Sequence, residues 1–199
     1  MITKIKQMII DNICQLNNLC SEEKEEIEYG FNLLFDNLIK FLILLFIMSL
    51  LNWTYYFFIA SLIVWFLKSC IGGIHLPTFW SCFVFSLAYY LLIVFLALYL
   101  PISLFVWIIV FTFILYITWK YAPADNEEKP LVNKELRKEL KKRGIIRLIL
   151  TFVLSLIIYF TFPRMFGVIC YSIIFTVITI HPWIYKLFQR GYANYEKYL

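Results

Sequence analysis

Residues 38–68 read LIKFLILLFIMSLLNWTYYFFIASLIVWFLK, and the reading of this stretch decides what kind of molecule the chain forms. From Leu38 to Leu67 runs a tract of thirty residues whose only charged side chain is Lys40. As one helix it would be about 45 Å long at about 1.5 Å per residue, against a hydrocarbon core of about 30 Å, so a single straight span overshoots. Asn52, Trp53 and Thr54 supply a polar, aromatic break in the middle, which predicts a helical hairpin of Phe31–Leu51 and Tyr55–Lys68. Asp36 and Lys40 lie four apart in the first arm, where an ion pair would offset the cost of entering the headgroup zone.

The rest of the chain is equally apolar. Of 199 residues, 62% are hydrophobic, 20% aromatic and only 16% charged, with mean hydropathy +0.79. A soluble domain carries about a quarter of its residues charged, so the apolar excess here must face lipid, and a soluble enzyme is excluded. Further spans are predicted at Ser81–Leu100 and Ile102–Trp119, joined at Pro101, at Ile145–Phe162, and at Phe166–Tyr185 after Pro163 and Arg164. The expected fold is all-α: one integral membrane domain over residues 1–199 with about six transmembrane helices.

The start, MITKIKQMIIDNICQLNNLC, lacks the uninterrupted apolar run of a signal peptide. Ile2, Ile5, Ile9, Ile13 and Leu16 instead share one helix face, which predicts an amphipathic interfacial helix within residues 1–28. A face packed on the protein's own spans would show the same spacing. Residues 120–144 form the one sizeable loop, with Lys134, Arg137, Lys138, Lys141, Lys142 and Arg143 clustered in its second half. Such a cluster orients a membrane protein, and it also attracts anionic lipid headgroups or an acidic peptide.

With six spans, the segments Met1–Gly30, Lys68–Trp80, Lys120–Gly144 and Lys186–Leu199 share a side and Arg164 alone lies opposite, so the positive-inside rule places both termini in the cytoplasm. A five-span arrangement would set Lys4, Lys6 and Lys24 against the basic loop.

The residues able to carry chemistry are few. Five cysteines (Cys14, Cys20, Cys70, Cys82, Cys170) show no CxxC spacing, and two distant histidines with no carboxylate cluster cannot complete a metal set. No phosphate-cradling glycine loop and no nucleic-acid-binding stripe is present, so neither a cofactor nor nucleic acid is expected. One constellation remains. In CIGGIHLPTFWSC, His75 precedes Cys82 by seven residues, Pro77 and Thr78 suit a helix start, and Gly72 and Gly73 allow the backbone of a substrate-binding turn. A cysteine nucleophile needs a base beside it and gains from a helix N-terminus. The spacing alone is weak, because an interfacial histidine and a small buried cysteine would look the same.

Two motifs together are more specific. GGIH followed by Cys82, with Pro77, Phe79 and Trp80 between, and the loop YAPADNEEKPL from Tyr121, resemble the accessory gene regulator protein B (AgrB) family of membrane cysteine endopeptidases. The resemblance covers essentially the whole chain. Family members carry Arg where this chain has Lys68 and a small residue where it has Leu76; Lys keeps the charge without the planar fork. The resemblance implies His75 and Cys82 as the catalytic dyad, supported by Lys68, Gly72, Gly73, Asp125 and Lys129. It implies cleavage and cyclisation of a short AgrD-like precursor peptide in quorum sensing, by a homodimer; in this multi-pass cell-membrane protein the positive-inside count sets His75, Cys82 and Asp125 on the cytoplasmic side. Asp125 is the candidate to orient His75, with a backbone carbonyl as the alternative. The competing reading is a non-enzymatic transporter or peptide exporter, which predicts ionisable residues inside the spans, whereas Asp36, Lys40 and Arg147 fall near span ends.

Overall fold

The computed structural model describes residues 21–125, 130–194 and 196. Residues 1–20 of the interfacial helix expected over 1–28, and Lys129, lie outside the described residues. Among the described residues seven helices follow one another: α1 (Ser21–Leu50), α2 (Thr54–Ile71), α3 (Phe79–Tyr99), α4 (Leu104–Tyr121), α5 (Lys134–Tyr159), α6 (Pro163–Ile178) and the short α7 (Pro182–Leu187). No strand forms among them, apart from one isolated bridge. Four of the described helices are long and apolar enough to cross a membrane: Gly30–Leu50 within α1, α2, α3 and α4.

The chain divides after Ile47 into two compact units. The described part of the first is α1 as far as Ile47, with Leu34, Leu38, Leu42 and Phe46 exposed at every fourth position. That spacing lines one helix face with apolar side chains, as a lipid-facing surface requires.

The second unit begins with the break expected in the long tract. Asn52 takes a left-handed conformation (φ 58°), its amide bonds the Ser49 carbonyl at 3.1 Å, and the Trp53 amide bonds the Met48 carbonyl at 2.8 Å. This pair of bonds is the Schellman stop, with asparagine in the place glycine usually takes.

The core of this unit is α6, which touches α2, α3, α4 and α5. Ten of its sixteen residues are buried, from Phe166 to Val177. Between helices in lipid there is little hydrophobic driving force, so close packing and internal hydrogen bonds must hold them. Gly167 supplies the first: a Cβ there would lie 3.0 Å from the Ala97 carbonyl oxygen of α3. The Tyr89 and Thr176 hydroxyls pair at 2.9 Å, and the Trp107 indole donates to Ser155 Oγ at 2.9 Å, joining α3 to α6 and α4 to α5. Tyr171 donates to the Leu100 carbonyl at 2.8 Å and so satisfies an acceptor at the end of α3.

Residues 21–28, expected at the end of a separate interfacial helix, form the first turns of α1 without a break before Phe31, and two further boundaries differ from expectation. The basic half of the 120–144 loop is helical, because the Asn133 side chain caps α5 by accepting from Glu135 and Leu136, and KELRKELKKRG contains strong helix formers. α5 therefore runs from the charged segment into the apolar one without interruption. Gly144 at this junction is buried, and a Cβ on it would lie 2.6 Å from Ile71 Cγ2. One turn further on, Arg147 Nη1 donates to the Phe66 carbonyl at 2.8 Å and to Ser69, so the charge is satisfied by α2. The other of these two concerns Phe166–Tyr185, expected as one span. α6 ends at Ile178, and His181 caps the separate α7 by accepting the Trp183 amide at 3.2 Å.

Candidate active site

The site is built around the connection from α2 to α3. α2 ends because Gly72 (φ 74°) and Gly73 (φ 143°) leave helical space, after the Gly72 amide has bonded the Lys68 carbonyl at 3.0 Å. Both glycines are forced by a close crossing of the chain. The Ala124 amide donates to the Ile71 carbonyl at 2.9 Å, forming a parallel bridge between Gly72 and Ala124, and a Cβ on Gly72 would stand 2.0 Å from the Ala124 oxygen. A Cβ on Gly73 would stand 2.7 Å from Thr179 Oγ1, while the next amide, Ile74, donates to the Thr179 carbonyl at 3.2 Å. The turn before His75 is thus stitched both to the YAPAD segment and to the end of α6. His75 itself is exposed, three residues before the cap of α3.

Thr78 caps α3. Its hydroxyl accepts from the Ser81 amide at 3.1 Å, and the Ser81 hydroxyl in turn accepts from the Thr78 amide at 3.3 Å, a complete capping box. Pro77 therefore precedes the cap and does not enter the helix's first turn, where its sequence position suggests it. Cys82 is the fourth residue of α3, and its amide makes the first regular helical bond, to the Thr78 carbonyl at 3.0 Å. The positive end of the helix dipole consequently lies beside its sulfur. Of the three cysteines among the described residues, Cys70 and Cys170 are buried and Cys82 is half-buried.

Lys68, in the last turn of α2, completes the charge around this thiol. Its ammonium lies 5.1 Å from the centroid of the Tyr89 ring, and Tyr89 stands two turns after Cys82 on the same face of α3. The ammonium lies within Coulombic range of the Cys82 sulfur. The structure therefore brings Lys68 to the side of Cys82, a juxtaposition that depends on how α2 and α3 meet.

Asp125 sits at the end of the YAPAD segment, 3% exposed. Its carboxylate accepts from the Asn194 amide at 3.1 Å and from Asn194 Nδ2 at 3.4 Å, and its carbonyl accepts from the Tyr185 hydroxyl at 3.3 Å. Tyr185 lies beyond the end of α6; burial, then the Asp125 carboxylate, raises its phenol above the ordinary value and keeps it a neutral donor. Tyr192 adds a bond to the Tyr121 carbonyl at 3.3 Å. A C-terminal clasp thus holds the segment that holds Gly72. Tyr185, Tyr192 and Asn194 carry no motif or periodic signal; a buried asparagine near the end of the chain declares itself only in three dimensions.

Beside this clasp opens a cleft of about 410 Å³, lined by Lys120, Lys134, Arg137, Lys138 and Lys141 together with residues 121–125 and Tyr192. Its charge suits an anionic ligand. Among the described residues no group of His, Cys, Asp or Glu side chains is placed to hold a metal ion.

Comparison with known proteins bears on the family of the chain. The family described as Accessory gene regulator B matches residues 2–180. An AgrB-like protein of Listeria innocua is 33% identical over 174 residues, covering 87% of this chain and 84% of its own. One from Clostridium acetobutylicum is 32% identical over 181 residues, with 87% and 82% covered, and one from Clostridium beijerinckii is 29% identical over 144 residues, with 71% and 72% covered. No solved structure matches. A family match over nine-tenths of the length, and relatives that align across both the GGIH turn and the YAPAD segment, lead to one conclusion: this membrane protein belongs to the accessory gene regulator B family.

Proposed function

We propose that the protein is a membrane cysteine endopeptidase that cleaves and cyclises a short AgrD-like precursor peptide for quorum sensing. The observation that carries this reading is the setting of Cys82: half-buried, in the first turns of α3, with the Lys68 ammonium on its face.

In this mechanism His75 takes the proton of Cys82 and the sulfur attacks the carbonyl carbon of the scissile bond. Lys68 and the helix N-terminus place positive charge where the sulfur and the developing oxyanion are negative. The C–N bond breaks, His75 returns the proton to the leaving amine, and the retained fragment remains on Cys82 as a thioester. A cysteine or serine within that fragment then attacks the thioester carbonyl and loses its proton as the Cys82 thiol is restored, closing a thiolactone or lactone. Ring closure outruns hydrolysis because the internal nucleophile has a high effective concentration at the thioester.

The 410 Å³ basic cleft receives an acidic portion of the precursor. Six spans, with α5 and α6 as the fifth and sixth, keep both termini and the dyad on the cytoplasmic side, and two chains form the working homodimer. Reporter fusions after Asn52, Pro101 and Arg164 then read outside, and those after Gly73 and Leu199 inside.

The test is precursor processing in membranes. Cys82→Ala and His75→Ala should each abolish cleavage at normal membrane insertion, and the double variant should be no worse, since dyad members act as a unit. Cleavage by the Cys82→Ala protein would refute the reading.

A further inference from the structure

A second cavity lies on the other side of the basic helix segment. The last turn of α4 carries Trp119, and α5 carries Lys138, Lys141 and Lys142 before turning apolar at Ile145 and Ile146; together these six residues line an open groove of about 380 Å³. Lys141 Nζ stands 5.3 Å from the centroid of the Trp119 ring, which orders the indole against the charged helix. Trp119 is 59% exposed and Ile146 48%, so the groove is open to its surroundings. Arg143, beside it, is engaged by Glu139 at 2.5 Å.

The lining is graded along α5. Ammonium groups come first, and two isoleucines follow one turn later, with an indole facing both across the groove. The apolar run of α4 ends at this level and that of α5 begins, so the groove sits where lipid-facing surface gives way to charged surface. A soluble anion would leave the isoleucines and indole uncovered, and an apolar molecule would leave three ammonium groups unmatched. An anionic amphiphile matches all of it.

We propose that this groove is a binding site for one anionic phospholipid, its phosphodiester among Lys138, Lys141 and Lys142, its glycerol region against Trp119, and the start of an acyl chain along Ile145 and Ile146. The proposal is independent of the peptidase reading. Lys138 and Lys141 also line the larger basic cleft, whereas Trp119 and Lys142 line only the groove, and Lys134 and Arg137 line only the cleft.

Native mass spectrometry of the full chain in detergent, titrated with phosphatidylglycerol or phosphatidylcholine, tests it. The expected result is one phosphatidylglycerol retained with at least tenfold preference over phosphatidylcholine. Trp119→Ala with Lys142→Gln should erase that preference, Trp119→Tyr alone should keep it, and Lys134→Gln with Arg137→Gln should leave it unchanged. Equal retention of both lipids, or loss of preference in the Lys134/Arg137 variant to the same degree, would overturn the site. So would displacement of the lipid by a synthetic acidic peptide at equal concentration, because the groove would then belong to peptide.

Discussion

Gly72 and Ala124 lie in register as a single parallel bridge, closed by the Ala124 amide on the Ile71 carbonyl at 2.9 Å. Two segments separated by two helices long and apolar enough to cross a membrane are thereby fixed to each other just before His75. Gly72→Ala has to push a Cβ into the Ala124 oxygen from a left-handed backbone, a cost of roughly 1–3 kcal/mol for the conformation alone. We expect it to lower the unfolding temperature in detergent and to reduce precursor cleavage more than tenfold. Ile71→Val, which keeps the carbonyl but trims a buried side chain, should cost only about 0.5–1.5 kcal/mol of stability and leave cleavage nearly unchanged. Thermal melts and a cleavage assay on the same preparations check this.

Lys68 should matter through its charge. Lys68→Gln removes the cation beside Cys82 and is expected to slow alkylation of Cys82 by iodoacetamide, and turnover, by roughly tenfold or more. Lys68→Arg keeps the charge and should retain most of both. Alkylation rates measured by peptide mass spectrometry separate the effect on the thiol from any effect on substrate binding.

The clasp predicts a positioning role for Asn194. Asn194→Ala withdraws its Nδ2 from the Gly191 carbonyl at 2.9 Å and from the buried Asp125 carboxylate at 3.4 Å, and leaves the backbone amide as the remaining Asn194 donor. Loss of a hydrogen bond to a charged group costs about 1.5–3 kcal/mol. Stability should fall by that order and turnover should fall with it, while the Michaelis constant changes little. Asn194→Asp, which sets two carboxylates together, should be worse than alanine in a denaturation series at neutral pH.

The basic cleft predicts a salt-sensitive Michaelis constant. Replacing Lys134 and Arg137 by Gln should raise it several-fold with turnover preserved and flatten its dependence on ionic strength, since exposed charges guide association and are screened by salt. A steady-state series between low and high salt reads both effects.

Much of the fold is legible along the chain, and the reasons differ by element. The break at Asn52 is visible because a polar residue in the middle of a thirty-residue apolar tract marks a return to the membrane surface, and Asn52 adopts the left-handed stop that its side chain tolerates. The helical start of α5 is hidden because a run of lysines reads as a solvated loop until its cap, Asn133, is recognised. His181 is swallowed into a longer apolar run for the same reason: hydropathy averages over a single capping side chain. At the site, Cys82 and His75 stand out by motif. Lys68 can be named but not placed, because its approach to Cys82 depends on the packing of α2 against α3. Gly72 and Gly73 read as a turn that needs unusual backbone or close approach, and in three dimensions the approach is made by Ala124 and Thr179 of the same chain.

Whether Cys82 carries the acyl group is settled most directly by intact-protein mass spectrometry. Incubated in nanodiscs with a precursor whose internal cysteine or serine is replaced by alanine, the protein should cleave but be unable to cyclise, and the thioester should accumulate. The expected spectrum shows an added mass equal to the retained fragment, mapped to Cys82 and released by neutral hydroxylamine. Release of the C-terminal fragment with no adduct, or an adduct on Cys14, Cys20, Cys70 or Cys170, would show that Cys82 is not the nucleophile.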